Sequence, residues 1–301
     1  MAAVVPIDLA LGGIPGAAAA YLVTGPEPVL VDPGPPESVD RVRRALVGLG
    51  VPVEELRGLL VTHAHRESAG AAGILAREVP GLPVVAGEEA ARRLVAPEEI
   101  PADGPEPAST SDDPREAGMD LVPVPTEALR EWTEGDGEPV SGVRPVATPG
   151  HAPGHLAYAV EASDVLLVGD ALGVVLTPDS PTHPSAPPGE VDLEAWRRTL
   201  SNLREMAPGW VAVARFGIHD DAPGRVAALE EALDRLEERV ARAVSQGQED
   251  NDQTRFREQT LKAQGEHLPE ARADGFFRHF DPCRDWEGVR RALDPEEREP
   301  S

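Results

Sequence analysis

Cysteine is nearly absent from this 301-residue chain, in which Cys283 stands alone. A single thiol excludes an internal disulfide and a zinc cluster built from cysteines, and it agrees with a reducing environment. Aromatic residues make up only 4% of the sequence, so the core must be packed mainly with valine, leucine and alanine. The length suits one large domain, or one domain with an appendage.

The chain also lacks a long apolar run. A membrane-spanning helix needs about 20 apolar residues, and no segment approaches that length. The apolar N-terminal segment is interrupted by Pro6, Asp8 and Pro15, and no basic region precedes it, so we interpret it as strands and not as a secretion signal. We therefore expect a soluble cytoplasmic protein that binds no membrane.

Positive charge is scarce, with 28 basic residues against 53 acidic ones and a formal net charge of -25. Such a surface repels phosphate backbones, which argues against a nucleic-acid partner. Lysine occurs once, at Lys262, and the predominance of arginine, aspartate and glutamate resembles proteins of high-salt cytoplasms. A GC-rich genome would produce a similar arginine bias. Neither origin indicates the activity of the protein.

Short β-branched runs alternate with amphipathic segments, an order typical of a sheet covered by helices. Residues 96–118 are rich in proline and acidic residues, which predicts an exposed loop. Strands are predicted at 19–23, 29–32, 59–62, 82–86, 119–124, 143–147, 156–160, 165–168 and 210–214, and helices at 38–47, 69–78, 88–94 and 193–206.

The pattern becomes fully helical after Pro223. Apolar residues recur there at helical spacing and form a stripe along one face of the predicted helix. This apolar stripe must be covered, either by its own domain or by a second copy of the chain in a homodimer. We place a first domain at 1–244 and a polar helical C-terminal extension, docked on that domain, at 245–301. The residues of the apolar stripe are Val226, Leu229, Leu233, Leu236 and Val240.

Residues of the types that bind metals recur where predicted strands end, in THAHRES at 62–68, TPGHAPGH at 148–155 and LLVGDAL at 166–172. Alternate residues of an extended loop point the same way, so His63 and His65 can face one ion. His151 and Asp170 approach from the other two loops. Histidine and aspartate suit zinc, iron or manganese, and one such ion per chain is the predicted cofactor.

The order of these motifs resembles the metallo-β-lactamase-fold hydrolases over about residues 5 to 240. The resemblance rests on seven segments that follow one another in this order: YLV, VLVDPGP, LLVTHAH, PVVAGEE, ATPGHAPGH, LLVGDAL and ARFGIHDD. The resemblance is nearest to the glyoxalase II-like, or hydroxyacylglutathione hydrolase-like, branch. It implies an α/β fold of four layers, an αββα sandwich with two mixed sheets inside, followed here by the helical extension.

The resemblance also implies roles for residues of the first metal site. The first loop of such proteins reads THxHxDH, and its first two histidines, with a later one, match His63, His65 and His151. Asp170 matches the carboxylate that bridges two metals. Asp32 matches an aspartate that can orient a ligating histidine, although a role in the local turn stays open.

The residues that would bind a second metal have all changed. Glu67 replaces an aspartate, Ser68 replaces a histidine, and Arg215 stands where the final histidine is expected. Because a guanidinium cannot ligate a cation and repels one, we expect a mononuclear site in which Arg215 pairs with Asp170, Glu67 or both. The alternative is that Arg215 lies at the surface and His219 supplies a ligand.

Two outcomes for catalysis stay open. If Arg215 draws Asp170 away, the three histidines leave a coordination position for water, and Glu67 is a candidate general base. If Asp170 completes the coordination instead, the site is structural and activity is low. Glu67 is equally compatible with being a solvated charge.

These observations predict a metal-dependent hydrolase that cleaves a thioester, lactone or related ester of a small molecule through a metal-bound hydroxide. Its predicted catalytic residues are Glu67, Asp170 and Arg215. The alternative is a catalytically weakened protein that binds a small molecule or a partner protein. Nuclease activity is disfavoured by the net charge and by the lack of a basic, aromatic groove.

Overall fold

The computed structural model describes residues 2–97, 121–177, 180–215, 217–267, 275–277 and 280–294. The predicted loop at 96–118 therefore lies, beyond its first two residues, outside the described residues. Among the described residues, no helix is both long enough and apolar enough to cross a bilayer.

Within the described residues, the first sheet has six strands that lie in chain order, β1 to β6. The first two pairings are antiparallel, and the pairings from β3 to β6 are parallel. The strands are β1 (Val4–Asp8), β2 (Ala19–Val23), β3 (Val29–Val31), β4 (Gly58–Leu60), β5 (Val84–Gly87) and β6 (Leu129–Trp132).

The second sheet has five strands in the part of the chain that the structure describes, in the order β11-β10-β9-β8-β7. Among the described strands of this sheet, only the pairing of β9 with β10 is parallel, so this sheet is also mixed. The strands are β7 (Val143–Ala147), β8 (Leu156–Val160), β9 (Val165–Gly169), β10 (Trp210–Val213) and β11 (Gly217–His219).

Helices cover the outer faces of both sheets. Helices α1 to α4 pack on the first sheet, and α5, α6 and α8 share a core with the second. The predicted αββα sandwich is therefore confirmed. The helices are α1 (Val39–Gly48), α2 (Arg66–Ala69), α3 (Ala72–Glu78), α4 (Glu88–Val95), α5 (Leu193–Met206), α6 (Ala222–Gln246), α7 (Glu249–Gly265) and α8 (Pro282–Leu293).

The two tyrosines of the chain join the sheets across the inner core. The hydroxyl of Tyr21, in β2, donates a hydrogen bond to the carbonyl oxygen of Val213 in β10 at 2.5 Å. The hydroxyl of Tyr158, in β8, donates to the carbonyl oxygen of Val61, just after β4, at 2.9 Å. Because a buried hydroxyl without a partner is unfavourable, these bonds favour one alignment of the sheets.

The strand predicted at 119–124 is wrong over its described part, residues 121–124, which has no regular secondary structure. The backbone N–H of Val124 bonds to the carbonyl of Leu94 at the end of α4, at 2.8 Å. Val122 lies so close to α3 that a Cβ added at Gly73 would come within 1.8 Å of its carbonyl oxygen. This apolar run therefore covers helices instead of joining a sheet.

Two strands have no counterpart in the prediction, and both lie at sheet edges. Strand β6 contains the exposed residues Arg130 and Glu131, which interrupt its apolar pattern. Such charges are common on edge strands, where they oppose pairing with other molecules. Strand β11 has only three residues, too few for a period to be visible.

The apolar stripe of α6 is buried within the chain, where it packs with α5 and α8. Trp286 of α8 is almost fully buried in the same cluster, and its indole N–H bonds to Asp252 of α7. The extension thus contributes to the core of the second sheet.

This packing predicts a marked loss of stability for Leu229→Ala, whose side chain is fully buried in α6. We expect the free energy of unfolding, measured with urea, to fall by about 2 to 5 kcal/mol because a cavity is created. Val244→Ala on the same helix, at a side chain that is 46% exposed, should change it by less than about 0.5 kcal/mol. Equal effects of the two substitutions would contradict the assignment of the buried face.

Candidate metal centre

The predicted site residues meet where loops from both sheets come together. The loop after β4 carries His63 and His65, and the loop after β7 carries His151. Asp170 directly follows β9, and Arg215 lies two residues after β10. Gly169 permits the contact, because its φ of 53° suits glycine and an added Cβ would lie 2.6 Å from Oγ1 of Thr62. It would also lie 3.0 Å from Nε2 of His155.

The structure brings His63, His65 and His151 into one fully buried cluster. Their candidate ligand nitrogens all lie within 4.8 Å of one another. Nδ1 of His65 and Nε2 of His151 are 3.2 Å apart. The predicted convergence of the three imidazoles is confirmed, whereas the binding of an ion stays a prediction.

A relay of polar groups holds His63. Nδ1 of His63 lies 2.8 Å from Oγ1 of Thr62, and that hydroxyl donates to Oδ2 of Asp32 at 2.8 Å. Since the hydroxyl hydrogen is directed to the carboxylate, Thr62 accepts the Nδ1–H of His63. Burial raises the pKa of the Asp32 carboxyl to about 7, against the hydrogen bonds from Thr62 that lower it. Asp32 thus acts on His63 through Thr62.

The outer nitrogen of His65, which is the ring nitrogen that points away from the other histidines, faces a carboxylate that no sequence motif indicates. Nε2 of His65 lies 2.8 Å from Oε2 of Glu190, and the other oxygen of Glu190 pairs with Arg93 of α4. Although burial raises the pKa of Glu190, the bond from His65 and the charge of Arg93 hold it below its usual range. Glu190 ends a proline-rich loop 125 residues from His65, and no local pattern relates the two.

A backbone carbonyl orients the third histidine. Nδ1 of His151 lies 2.7 Å from the carbonyl oxygen of Ser185, to which it must donate. Ser185 has a φ of 54°, a left-handed conformation that is unusual for a residue with a side chain. The carbonyl reaches His151 from this conformation.

Together these contacts determine which nitrogen of each ring faces the centre. The outer nitrogens donate to oxygen acceptors, so the inner lone pairs belong to Nε2 of His63, Nδ1 of His65 and Nε2 of His151. Burial lowers the pKa of His63 well below its usual value, and the neighbouring His65 and His151 add to the effect. In their neutral form, three imidazoles with converging lone pairs fit a zinc-type cation.

Arg215 occupies the region beside the three histidines and is fully buried. Its Nη2 donates to Oε1 of Glu67 and to Oδ2 of Asp170, at 3.3 Å each. Its Cζ lies 4.1 Å from the centre of the Phe280 ring, within the range of a cation–π contact. The expectation that Arg215 pairs with both carboxylates matches this geometry.

Two alternatives from the sequence are wrong. Arg215 is not at the surface, and the metal-binding cluster found among the described residues does not include His219, which pairs with Val211 at the edge of the second sheet. Glu67 is not a solvated charge, because only 7% of its side chain is exposed. Ser68, which replaces a histidine of the second metal site, lies beside the cluster, with its Oγ 3.5 Å from Nε2 of His63.

Asp170 links the arginine to the histidines. Its Oδ2 lies 3.6 Å from Nε2 of His63 and 3.8 Å from Nε2 of His151, while it accepts the bond from Arg215. His155 packs behind His63 with ring centres 5.0 Å apart, and its Nδ1 lies 2.8 Å from Oγ1 of Thr148. His155 thus supports the cluster from outside.

The fold and the site define an αββα protein with a buried cluster of three histidines that could hold a metal ion. The chain belongs to the metallo-beta-lactamase superfamily, whose family model matches residues 13–215.

Individual similarities agree with the superfamily. A curated relative, the uncharacterized protein YobT of Bacillus subtilis (strain 168), is 26% identical over 145 residues, which cover 48% of this chain and 57% of the relative. The chain thus spans little more than half the length of that relative.

Solved structures show the same fold. A metallo-beta-lactamase family protein from Thermus thermophilus is 26% identical with a TM-score of 0.56, over 74% of this chain and 76% of that protein. MEM-A1, a subclass B3 metallo-beta-lactamase from a soil metagenome library, is 19% identical with a TM-score of 0.56, over 81% of this chain and 94% of that one. At that identity the likeness concerns the fold alone.

The contact between His65 and Glu190 predicts that Glu190→Ala weakens metal binding. Loss of an outer partner of a ligating histidine typically costs about 10 to 100-fold in affinity, and we expect that range for zinc in competition with a chromophoric chelator. Glu194→Ala, four residues further at a side chain 85% exposed, is the matched control and should bind zinc as the native chain does. Equal affinities for the two variants would show that Glu190 does not support His65.

The burial of Arg215 predicts that Arg215→Met leaves two buried carboxylates without a counter-charge. In the presence of a chelator, the free energy of unfolding should fall by about 3 to 5 kcal/mol. The carboxylates then become available to a second divalent ion, so the zinc content by elemental analysis should rise from about one to about two per chain. Arg198→Met, at a side chain 61% exposed, should change neither quantity. Two ions in the native protein would contradict the replacement of a metal by Arg215.

Proposed function

We propose that this chain is a hydrolase that uses one metal ion, held by His63, His65 and His151, to cleave an ester-type bond in a small molecule. Thioesters and lactones are the substrate classes that we infer, from the sequence resemblance to the glyoxalase II-like branch. The observation that carries the proposal is the set of three buried imidazoles whose inner nitrogens converge beside a buried arginine and carboxylate pair.

A bound zinc-type ion supplies Lewis acidity and lowers the pKa of a coordinated water towards about 7. The chain's own residues then hold the ion, accept the proton of the attacking water and stabilise the charge that develops on the substrate. The three histidines perform the first of these tasks.

Asp170 is the carboxylate that we assign as proton acceptor. Its Oδ2 lies within 4 Å of the inner nitrogens of His63 and His151, so a water at the centre is within its reach. The guanidinium of Arg215 holds Asp170 in this orientation, and Glu67 holds Arg215. In this proposal Glu67 positions the arginine, and the role of general base passes to Asp170.

Arg215 is the group that we assign to the developing negative charge. Within the described chain, its Nε and Nη1 have no hydrogen-bond partner, although both atoms are buried. Such donors are unfavourable unless a ligand satisfies them. The carbonyl or leaving-group oxygen of a substrate is a suitable acceptor, since donors aimed at a developing oxyanion stabilise the transition state.

One observation favours the second candidate, a protein that binds a ligand and keeps the metal for structure. The three imidazoles have no exposed surface, so a substrate reaches them only if a neighbouring segment moves. In that case the chain would bind zinc and would show little turnover.

The two candidates are separated by turnover of acylglutathione, lactone and simple ester substrates, measured at high salt with zinc, manganese or iron added. We expect Asp170→Asn to lower kcat by about 10² to 10⁴-fold while zinc remains bound, because a proton acceptor is lost. His63→Ala should lose both zinc and turnover, and His267→Ala, at an exposed histidine after α7, should behave as the native chain.

The controls make the result decisive. Turnover that survives in His63→Ala would show that the reaction does not depend on the centre. If the zinc-loaded native chain hydrolyses none of these substrates, the binding candidate is favoured. Asp170→Asn with unchanged kcat would contradict the assignment of the proton acceptor.

A further inference from the structure

Helix α8 contacts the loop that orients His151, although it lies beyond residue 215, where the superfamily match ends. Oδ1 of Asp285, in the first turn of α8, accepts the backbone N–H of Ala186 at 2.5 Å. Oδ2 of the same carboxylate lies 2.9 Å from Nδ1 of His183. One buried carboxylate therefore binds the loop on both sides of Ser185.

Ser185 is the residue of this loop that reaches the metal centre. Its carbonyl oxygen accepts the hydrogen bond from Nδ1 of His151, and its backbone is left-handed, with a φ of 54°. An unfavourable backbone conformation persists only where the surrounding contacts impose it. The bonds from Asp285 to His183 and Ala186 are contacts of this kind.

A second contact joins α8 to the same loop. A Cβ added at Gly288, one turn after Asp285, would lie 1.9 Å from the carbonyl oxygen of Ala186. The backbone of the helix thus lies directly against the loop, and only glycine allows this approach.

The helix itself is firmly held. Trp286 is buried in the core beneath α6, and its Nε1 donates to Asp252 of α7 at 3.0 Å. Nε2 of Gln253, also in α7, donates to the carbonyl oxygen of Cys283 at 2.9 Å. Asp285 is therefore attached to a rigid support and can impose a conformation on the loop.

We propose that Asp285 is a positioning residue for the metal centre. By holding the loop from His183 to Ala186, it places the carbonyl of Ser185 so that His151 presents Nε2 to the ion. This inference rests on the proposed metal binding, and it makes the C-terminal extension part of the metal site although it supplies no ligand.

The test uses the full-length chain and measures zinc affinity by competition with a chromophoric chelator. For Asp285→Ala we expect the Kd for zinc to rise by about 10 to 100-fold, the usual effect of losing an outer contact of a ligand. Asp285→Asn should stay within about 3-fold of the native Kd, because its amide oxygen still accepts from Ala186. The visible absorption spectrum of the cobalt-loaded protein should differ from the native spectrum in Asp285→Ala and should match it in Asp285→Asn.

Asp281→Ala is the matched control. Asp281 accepts the backbone N–H of Cys283 at 3.0 Å and pairs with Arg257, so its loss weakens the start of α8 without removing a bond to the loop. Its zinc Kd should stay near the native value. Gly288→Ala tests the same contact without removing a polar group, and we expect its zinc Kd to rise.

Native zinc affinity in Asp285→Ala or in Gly288→Ala would overturn the inference while leaving the proposed function intact. An equal loss of affinity in Asp281→Ala would also overturn it, because the effect would then follow from the stability of α8 alone. A native chain that binds no zinc would overturn the proposed function, and the inference with it. If Asp285→Ala does not fold, Gly288→Ala decides the question.

Discussion

Three buried imidazoles can bind one cation only if each is neutral and turns its lone pair inward. This constraint is met by hydrogen bonds on the far side of each ring. The partner of His63 comes from the first sheet, through Thr62 and Asp32, whereas His65 and His151 depend on the loop before α5. The site exists only when the sandwich is closed, and the cross-sheet bonds of the two tyrosines stabilise that closure.

The charges beside the histidines obey a second constraint. Two carboxylates cannot be buried together without a positive partner. In a two-metal centre the second cation has this role, and here the guanidinium of Arg215 provides a charge that cannot dissociate. The ring of Phe280 lies over the guanidinium, a cation–π contact that favours the buried position of the arginine. A fixed charge in this place is compatible with a one-metal site and also supplies hydrogen-bond donors that a metal ion lacks.

The sequence was sufficient for the parts of the site that depend on local spacing. His63 and His65 follow a short buried strand, and the glycine-rich contexts of His151 and Asp170 repeat a recognisable order, so their convergence was predictable. Glu190, Ser185 and Phe280 were not, because each acts through a contact with a residue far away in the chain. For the same reason the apolar residues at 121–124 predict a strand that the structure does not contain. Apolar character predicts burial but does not distinguish a cover over helices from a place in a sheet.

The C-terminal extension illustrates how a site can depend on residues outside the segment that defines the superfamily. The predicted boundary after residue 244 divides α6 two residues before that helix ends, at Gln246. Beyond it, Phe280 contacts Arg215 and Asp285 contacts the loop that orients His151, so both halves of the centre receive support from the extension. Since Trp286 shares its core with α5 and α6, removal of the extension would expose apolar surface as well as release the site. The stability of this segment and the geometry of the metal centre therefore depend on the same packing.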